Sequence, residues 1–250
     1  MPRTPRDLTG KVIVITGAAR GIGAATARAL AREGAVLAIG DLDGDLAGAV
    51  AAELGGNAIG RALDVTDHLA FAAFLDRVED ELGPLDVLIN NAGIAGTEAR
   101  RRNGIVPGAA DTTADGMREV FETNVFGLVR VTRAFLPLLQ RSAAPVIVNL
   151  SSGLASLTLV TTPDTPTKAY PGVSYPASKA AVNMVTVQFA KQFPDIRINA
   201  VEPGYTATDL NGKTGHQSVE EGVELILRMA QIGPDGPTGA VFDARGLVAW

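Results

Sequence analysis

Short β-branched runs alternate with alanine- and leucine-rich stretches along this chain: VIVIT at 12–16, VLAI at 36–39, VLIN at 87–90, VIVNL at 146–150 and IRINAV at 196–201. Runs that are apolar at nearly every position read as strands covered on both faces, because a strand with one wet face alternates instead. The stretches between them carry helical spacing. Phe71, Phe74, Leu75 and Val78 recur on one face, with Thr66-Asp67 ahead and Gly83-Pro84 behind as start and stop signals. Strand and helix in alternation predict an α/β fold, a single doubly wound parallel sheet flanked by helices on both faces, with residues 1–250 as one domain. Such sheets bind ligands beyond the carboxyl ends of their strands, so chemistry is expected just after each run.

Two segments break the rhythm. Residues 95–114 are rich in Gly, Arg and Thr, and an insertion at about 153–174 holds Pro163, Pro166 and Pro171 among threonines. Neither reads as a regular helix, and loops of this length inside a compact domain serve a function or move. The second is expected to form a pocket wall or lid, or else an altered subunit contact.

Composition narrows the function classes. A chain of 250 residues, 46% hydrophobic and 20% charged, has ample material for a core. A net charge of −5 gives no broad positive field for nucleic acid or anionic lipid, and the triplet Arg100–Arg102 reads as a solvated loop. With no cysteine there is no disulfide, thiolate nucleophile or cysteine metal site, and His68 and His216 stand too far apart to suggest a ligand pair, so no metal is expected. Met1–Thr9 is polar and lacks an apolar signal core, and no stretch approaches the ~20 apolar residues of a membrane span. A cytoplasmic protein is expected.

The first strand runs into TGAARGIG, Thr16–Gly23, and a helix that starts near Ile22 and continues through Leu30. Glycines at Gly17, Gly21 and Gly23 let the backbone turn tightly and approach a pyrophosphate, while the helix N-terminus at Ile22 favours its negative charge. The second strand ends in Gly40-Asp41, about 20 residues on, where dinucleotide folds place an acid on the adenosine ribose hydroxyls. Asp41 therefore points to NAD(H), with a helix cap or a turn as its plainer role and Asp43 competing for the cap. Asp64-Val65 follows the third strand, where the aspartate accepts from an adenine amino group or simply caps a turn. Arg20 keeps NADP(H) open, since a basic residue there can reach a 2′-phosphate.

Tyr175 and Lys179 stand four apart in YPASK, one helical turn apart on one face. An ammonium beside a phenol favours the phenolate and draws its pKa down toward the working range of an acid/base catalyst. The serine pair Ser151-Ser152 ends one buried strand and NNAG, Asn90–Gly93, ends another.

Together these motifs resemble the short-chain dehydrogenase/reductase family over nearly the whole chain. TGAARGIG matches TGxxxGxG, NNAG matches literally, NLSS matches the serine strand, YPASK matches YxxxK, and PGYTATD matches the loop after the sixth strand. The resemblance implies a Rossmann-type fold and hydride transfer between a nicotinamide cofactor and a carbonyl or alcohol. It makes Tyr175 the proton donor or acceptor, Ser152 the partner of the substrate oxygen, and Lys179 the holder of the nicotinamide ribose. Asn124, in ETNVFG within the long helix after 113, matches the asparagine that holds a proton-relay water. Asn90, Asn91, Ala92 and Gly93 would shape the cofactor wall, and Pro203, Gly204 and Thr206 would face the nicotinamide carboxamide; Ser151 would be structural. Plainer roles stand beside these: Asn124 on a helix carbonyl, Ser152 and Thr206 in turns, Tyr175 as an interface aromatic.

The interval from Ser152 to Tyr175 is about ten residues longer than in compact family members. With PGYTATDLN, this gives the C-terminal half a likeness to the carbonyl-reductase branch, which usually favours NADPH, against the NAD-type GDLD at 40–43. The preferred reading is NAD(H), a small-molecule carbonyl or alcohol substrate, and a homo-oligomer, dimer or tetramer, with a monomer as the alternative. A nicotinamide-binding regulator is the rival function. Pocket walls are expected from 94–100, 153–174 and 205–216, and Leu154, Leu157 and Leu159 point to a hydrophobic ketone.

Overall fold

A computed structural model describes residues 5–96 and 106–250, with backbone alone for 68–72; the triplet Arg100–Arg102, with the rest of 97–105 in the 95–114 loop, lies outside the described residues. Among the described residues eight strands form one sheet in the order β3-β2-β1-β4-β5-β6-β7-β8. These are β1 (Val12–Thr16), β2 (Val36–Asp41), β3 (Ala58–Ala62), β4 (Val87–Asn90), β5 (Val146–Leu150), β6 (Arg197–Val201), β7 (Val241–Asp243) and β8 (Gly246–Leu247). β1 to β7 pair in parallel. The departure from an all-parallel sheet is β8, which turns back antiparallel on β7. Two residues long and reached by a tight turn, it needs no crossover helix.

Residues 12–16, 87–90 and 146–150 form strands as their pattern predicts, and all are buried. Alternate residues feed two cores. Ile13, Ile15, Leu37, Ile39, Ile89 and Val148 meet α1 (Gly21–Arg32) and α8 (Val219–Ala230) through Ala27, Leu30, Ile226 and Met229. Val14, Ala38, Leu88, Ile147 and Ile198 meet α3 (His68–Leu82) and α5 (Leu128–Leu139) through Phe74, Val78, Val131 and Phe135. Phe135 is wholly buried and packs edge-on against Phe74 at 6.2 Å; burial of each such side chain contributes roughly 1.5–3 kcal/mol. Helix α2 (Gly44–Leu54) covers β2 and β3, starting where the Asp43 carboxylate accepts the Leu46 N–H at 3.0 Å.

The chain runs out from β1 through β2 to β3, then returns to place β4 on the other side of β1. That reversal opens a crevice at the carboxyl ends of β1 and β4. A polar ladder locks the strands beside it: Asn90 Nδ2 donates to Asn149 Oδ1 at 2.8 Å and to Thr132 Oγ1 at 3.1 Å, and Asn149 Nδ2 donates to Thr186 Oγ1 at 2.8 Å.

The helix after 113 is three pieces: α4 (Ala114–Phe121), a π-helical stretch Glu122–Gly127, and α5. The insertion also differs from expectation, since it contains a short helix, α6 (Leu157–Thr161). Its hydroxyls build it: the Ser156 side chain caps Leu159 N at 3.1 Å, and Thr161 and Thr162 donate to carbonyls one turn back at 2.7 Å. Thr165 and Thr167 both donate to Leu159 O, folding the segment onto itself. Residues 249–250 clasp it, Thr158 N donating to Trp250 O at 2.9 Å and Ser156 Oγ to Ala249 O at 2.5 Å.

Candidate active site

The glycine turn stands where its sequence predicts, between β1 and α1. Gly17 and Gly21 have φ of +65° and +54°, a region other residues enter only at a cost. A Cβ on Gly17 would lie 2.7 Å from Ala92 Cα, and one on Gly23 would strike the Gly17 carbonyl and lie 2.6 Å from Asn91 Nδ2. These glycines let the turn nest on the loop after β4, where Thr16 Oγ1 accepts the N–H of both Asn91 and Ala92 at 3.1 Å and Asn91 Nδ2 donates to Gly17 O at 2.7 Å. Gly21 faces Thr208 across the crevice, 3.6 Å from its missing Cβ to the threonine methyl. A turn without side chains at the start of a 12-residue helix suits a pyrophosphate.

Asp41 is 9% exposed and lies against that turn: Oδ2 accepts Ala19 N at 2.9 Å and Oδ1 accepts Asp43 N at 3.1 Å. The helix cap belongs to Asp43, whose other oxygen sits 3.5 Å from the Arg20 guanidinium. Asp64 spends one oxygen on the Thr66 N–H and hydroxyl, at 2.8 and 2.7 Å, while Val65 packs on Gly127 of the π-helical stretch.

Tyr175 and Lys179 occupy the first turns of α7 (Ser174–Gln192), opened by Pro176 where no intrahelical N–H is needed. Lys179 Nζ donates to Leu150 O at 2.7 Å, the carbonyl just before Ser151-Ser152, and lies 5.7 Å from the Tyr175 ring centre. The Ser152 hydroxyl accepts from Leu154 N at 3.2 Å and engages the Tyr175 phenol. Ser151 Oγ donates to Asn183 Oδ1 at 2.6 Å in the core. Buried Asn124 exchanges both amide groups with the Ile94 backbone and donates to Ser178 Oγ at 3.0 Å, which passes a hydrogen bond to Tyr175 O. Gly93 lies beneath both groups, its missing Cβ 3.3 Å from Asn124 Oδ1 and 3.5 Å from Lys179 Nζ. Pro203 and Gly204 turn sharply at φ +91° after β6, and buried Thr206 bridges to Gln217.

Tyr175 opens onto a recess lined by Ala95, Val106, Pro107, Val120, Tyr170 and Val173. Its walls come from the 95–114 loop and the end of the insertion, whereas 205–216 contributes none among the described residues. Leu157 points to solvent at 71% exposure, and Leu154 and Leu159 do not reach the recess, so the apolar lining comes from valines and a tyrosine instead.

The family model described as short chain dehydrogenase matches residues 11–218. The chain belongs to that family. It is 30% identical to the (+)-neomenthol dehydrogenase of Capsicum annuum, over 92% of this chain and 94% of that one. Salutaridine reductase from Papaver somniferum superposes with a TM-score of 0.78 at 26% identity, over 93% of this chain and 99% of that one. The 3-ketoacyl-(acyl-carrier-protein) reductase from Brucella melitensis, solved with NADH, gives 0.81 at 26% identity, over 95% and 97%. This short-chain dehydrogenase is thus a nicotinamide-dependent oxidoreductase of carbonyls and alcohols, and the regulator alternative finds no support.

The electrostatics of the short-chain dehydrogenase site differ from the sequence-based expectation. Tyr175 is pushed up rather than down, first by the protein crowded around its hydroxyl and then by Tyr170, with Ser152 opposing and Glu202 adding to the rise. Lys179 is itself pushed down to about 8 by burial, and its ammonium is aimed at the Leu150 carbonyl. Burial penalises both charged forms, and the Lys179 ammonium, bonded to the Leu150 carbonyl, does not reverse this.

Between pH 8 and the ordinary lysine value of 10.5 the unfolded chain holds a proton at Lys179 that the folded chain has released. Stability therefore rises with pH through that window, and the full cost of burying the charge, about 3 kcal/mol at most, is carried below it. Denaturant midpoints from about pH 7 to pH 10 are expected to climb in the parent and to climb less in Lys179→Met; equal slopes would show that Lys179 is not the buried charge.

Three neighbours of the site escaped the sequence reading. Thr16, the polar end of an apolar run, binds the loop after β4; Ser178 links Asn124 to Tyr175; and Tyr170, the one aromatic within 153–174, walls the recess.

Proposed function

We propose that this chain reduces hydrophobic ketones and oxidises the matching secondary alcohols with NAD(H) as preferred cofactor, as one domain acting in the cytoplasm. The observation that carries this reading is Tyr175 lining one recess together with Val106, Pro107, Val120 and Val173. Similar proteins are named (+)-neomenthol dehydrogenase, (-)-isopiperitenone reductase and salutaridine reductase, which supports a bulky, largely apolar substrate.

In this reading Gly17, Gly21, Ile22 and Gly23 hold the pyrophosphate and Asp41 the adenosine ribose, with Arg20 beside the ribose 2′ position, while Asp64 and Val65 border the adenine. Asn91, Ala92 and Gly93 form the wall behind the nicotinamide ribose, which Lys179 holds and the Tyr175 ring borders, and Pro203, Gly204 and Thr206 face the carboxamide. The bound nicotinamide gives or takes the hydride at its C4. Ser152 donates to the substrate oxygen, and Tyr175 passes its proton to that oxygen in reduction or removes it in oxidation. Both side-chain N–H groups of Asn124 are spent on Ile94 O and Ser178, so it orders a relay water as an acceptor.

The test is turnover of NADH and NADPH against a panel of acyclic and alicyclic ketones. Reduction with NADH favoured and bulky ketones preferred supports the reading; no turnover with any ketone removes it. Excising 157–169 while keeping Tyr170 is expected to reorder the panel by about tenfold and to leave cofactor KM within about threefold, because the segment backs the substrate wall and not the glycine turn. An unchanged ranking with an altered mass in solution would make the insertion a subunit contact. A homo-oligomer is part of the same reading, supported by Phe126 and Met184, which stand 49% and 59% exposed.

A further inference from the structure

Glu202 follows β6 directly, and its backbone N–H is fixed to β7 by a 2.8 Å bond to Phe242 O. Its side chain folds back. Oε1 accepts the Gly204 N–H at 3.0 Å, and the Gly153 N–H on the neighbouring loop also favours the carboxylate's charge. Gly153 lies against it, the site of its missing Cβ 3.6 Å from Glu202 Cδ. One side chain therefore joins the loop that begins with Ser152 to the loop that leads to Thr206. We propose that Glu202 is a positioning residue that clips these two loops together and holds a negative charge toward the Ser152–Tyr175 pair.

The surrounding charges leave that role to Glu202. Asp243, at the end of β7, takes Arg245 through two bonds, at 3.0 Å from Nε and 2.7 Å from Nη2, so the nearest guanidinium is already paired. Helix α8 adds Glu221, Glu224 and Arg228 to the cavity of Glu202, Asp243 and Arg245. Tyr175 lies near enough to feel the Glu202 charge, and the Lys179 ammonium is given to the Leu150 carbonyl. Burial raises the Glu202 pKa, and the backbone N–H groups of Gly204 and Gly153 oppose the rise by favouring the carboxylate. An anion there disfavours the phenolate and keeps Tyr175 protonated, the form needed to reduce a ketone.

The inference rests on Tyr175 as the acid/base, and three variants test it by the pH profile of alcohol oxidation, with cofactor affinity from nicotinamide fluorescence as control. Glu202→Gln removes the charge, so the limb that follows Tyr175 is expected to move to lower pH by about 0.5–1 unit, a three- to tenfold faster rate at a fixed pH on that limb. Glu202→Asp keeps the charge but shortens the clip; its limb should stay in place while kcat falls about tenfold and substrate KM changes less than kcat. Glu202→Ala loses both, combining the shift with the fall. A limb that stays in place in Glu202→Gln, or moves equally in Glu202→Gln and Glu202→Asp, overturns the proposal, and Glu202→Asp alone carries the clip if the glutamine variant fails to fold. Retained activity in Tyr175→Phe is a separate result, removing the tyrosine's role whatever the Glu202 variants do.

Discussion

Tyr175→Phe is expected to lower kcat by about 10²–10⁴-fold in both directions while leaving cofactor affinity within about threefold. The asymmetry follows from what the hydroxyl touches. It engages Ser152 on a residue that lines the recess, whereas the glycine turn and Asp41, bonded to Ala19 N, are built by other residues. The ring itself remains, so its packing beside Lys179 survives the substitution. Single-turnover rates with saturating cofactor, beside a fluorescence titration of cofactor alone, separate the two quantities. Activity within tenfold of the parent would remove Tyr175 from the proton transfer.

The second large effect concerns cofactor choice. With Asp41 held against the glycine turn, the 2′-phosphate of NADP would meet a carboxylate, and two like charges at about 4 Å repel by roughly 1 kcal/mol in water and about 4 kcal/mol at an effective dielectric of 20. Arg20 does not offset this freely, because its guanidinium faces Asp43 at 3.5 Å. NADH is therefore expected to be favoured in kcat/KM by about tenfold to a thousandfold. Asp41→Ala should collapse the ratio, and by freeing the N–H groups of Ala19 and Asp43 should also lower stability by about 1–2 kcal/mol. A parent that prefers NADPH, or a variant whose ratio does not move, would reduce Asp41 to a turn residue.

The central sheet was legible because β1, β4 and β5 are covered on both faces, and only uninterrupted apolar runs survive there. β7 and β8 were not, since three and two residues are too short to carry a period. The glycine turn and YPASK were legible because local backbone and helix geometry fix their neighbours. The lining of the recess was not: Val106, Val120, Tyr170 and Val173 come from separate segments, and no spacing rule relates them. The direction of the Tyr175 shift was missed for the same reason, since a YxxxK spacing sets the distance to one lysine but says nothing of how much protein surrounds the oxygen.

The six-residue π-helical stretch that carries Asn124 has a further consequence for the rod on which it sits. Each residue of an α-helix advances about 100° around the axis, so one residue accommodated there turns everything downstream by about that angle. Val120, ahead of it, lines the recess, while Val131 and Phe135, behind it, enter the core against the sheet. A gain or loss of one residue between 122 and 127 would reset this phase and swing Val131 and Phe135 about a quarter turn away from the sheet. The number of residues in that stretch is therefore constrained as tightly as their identity.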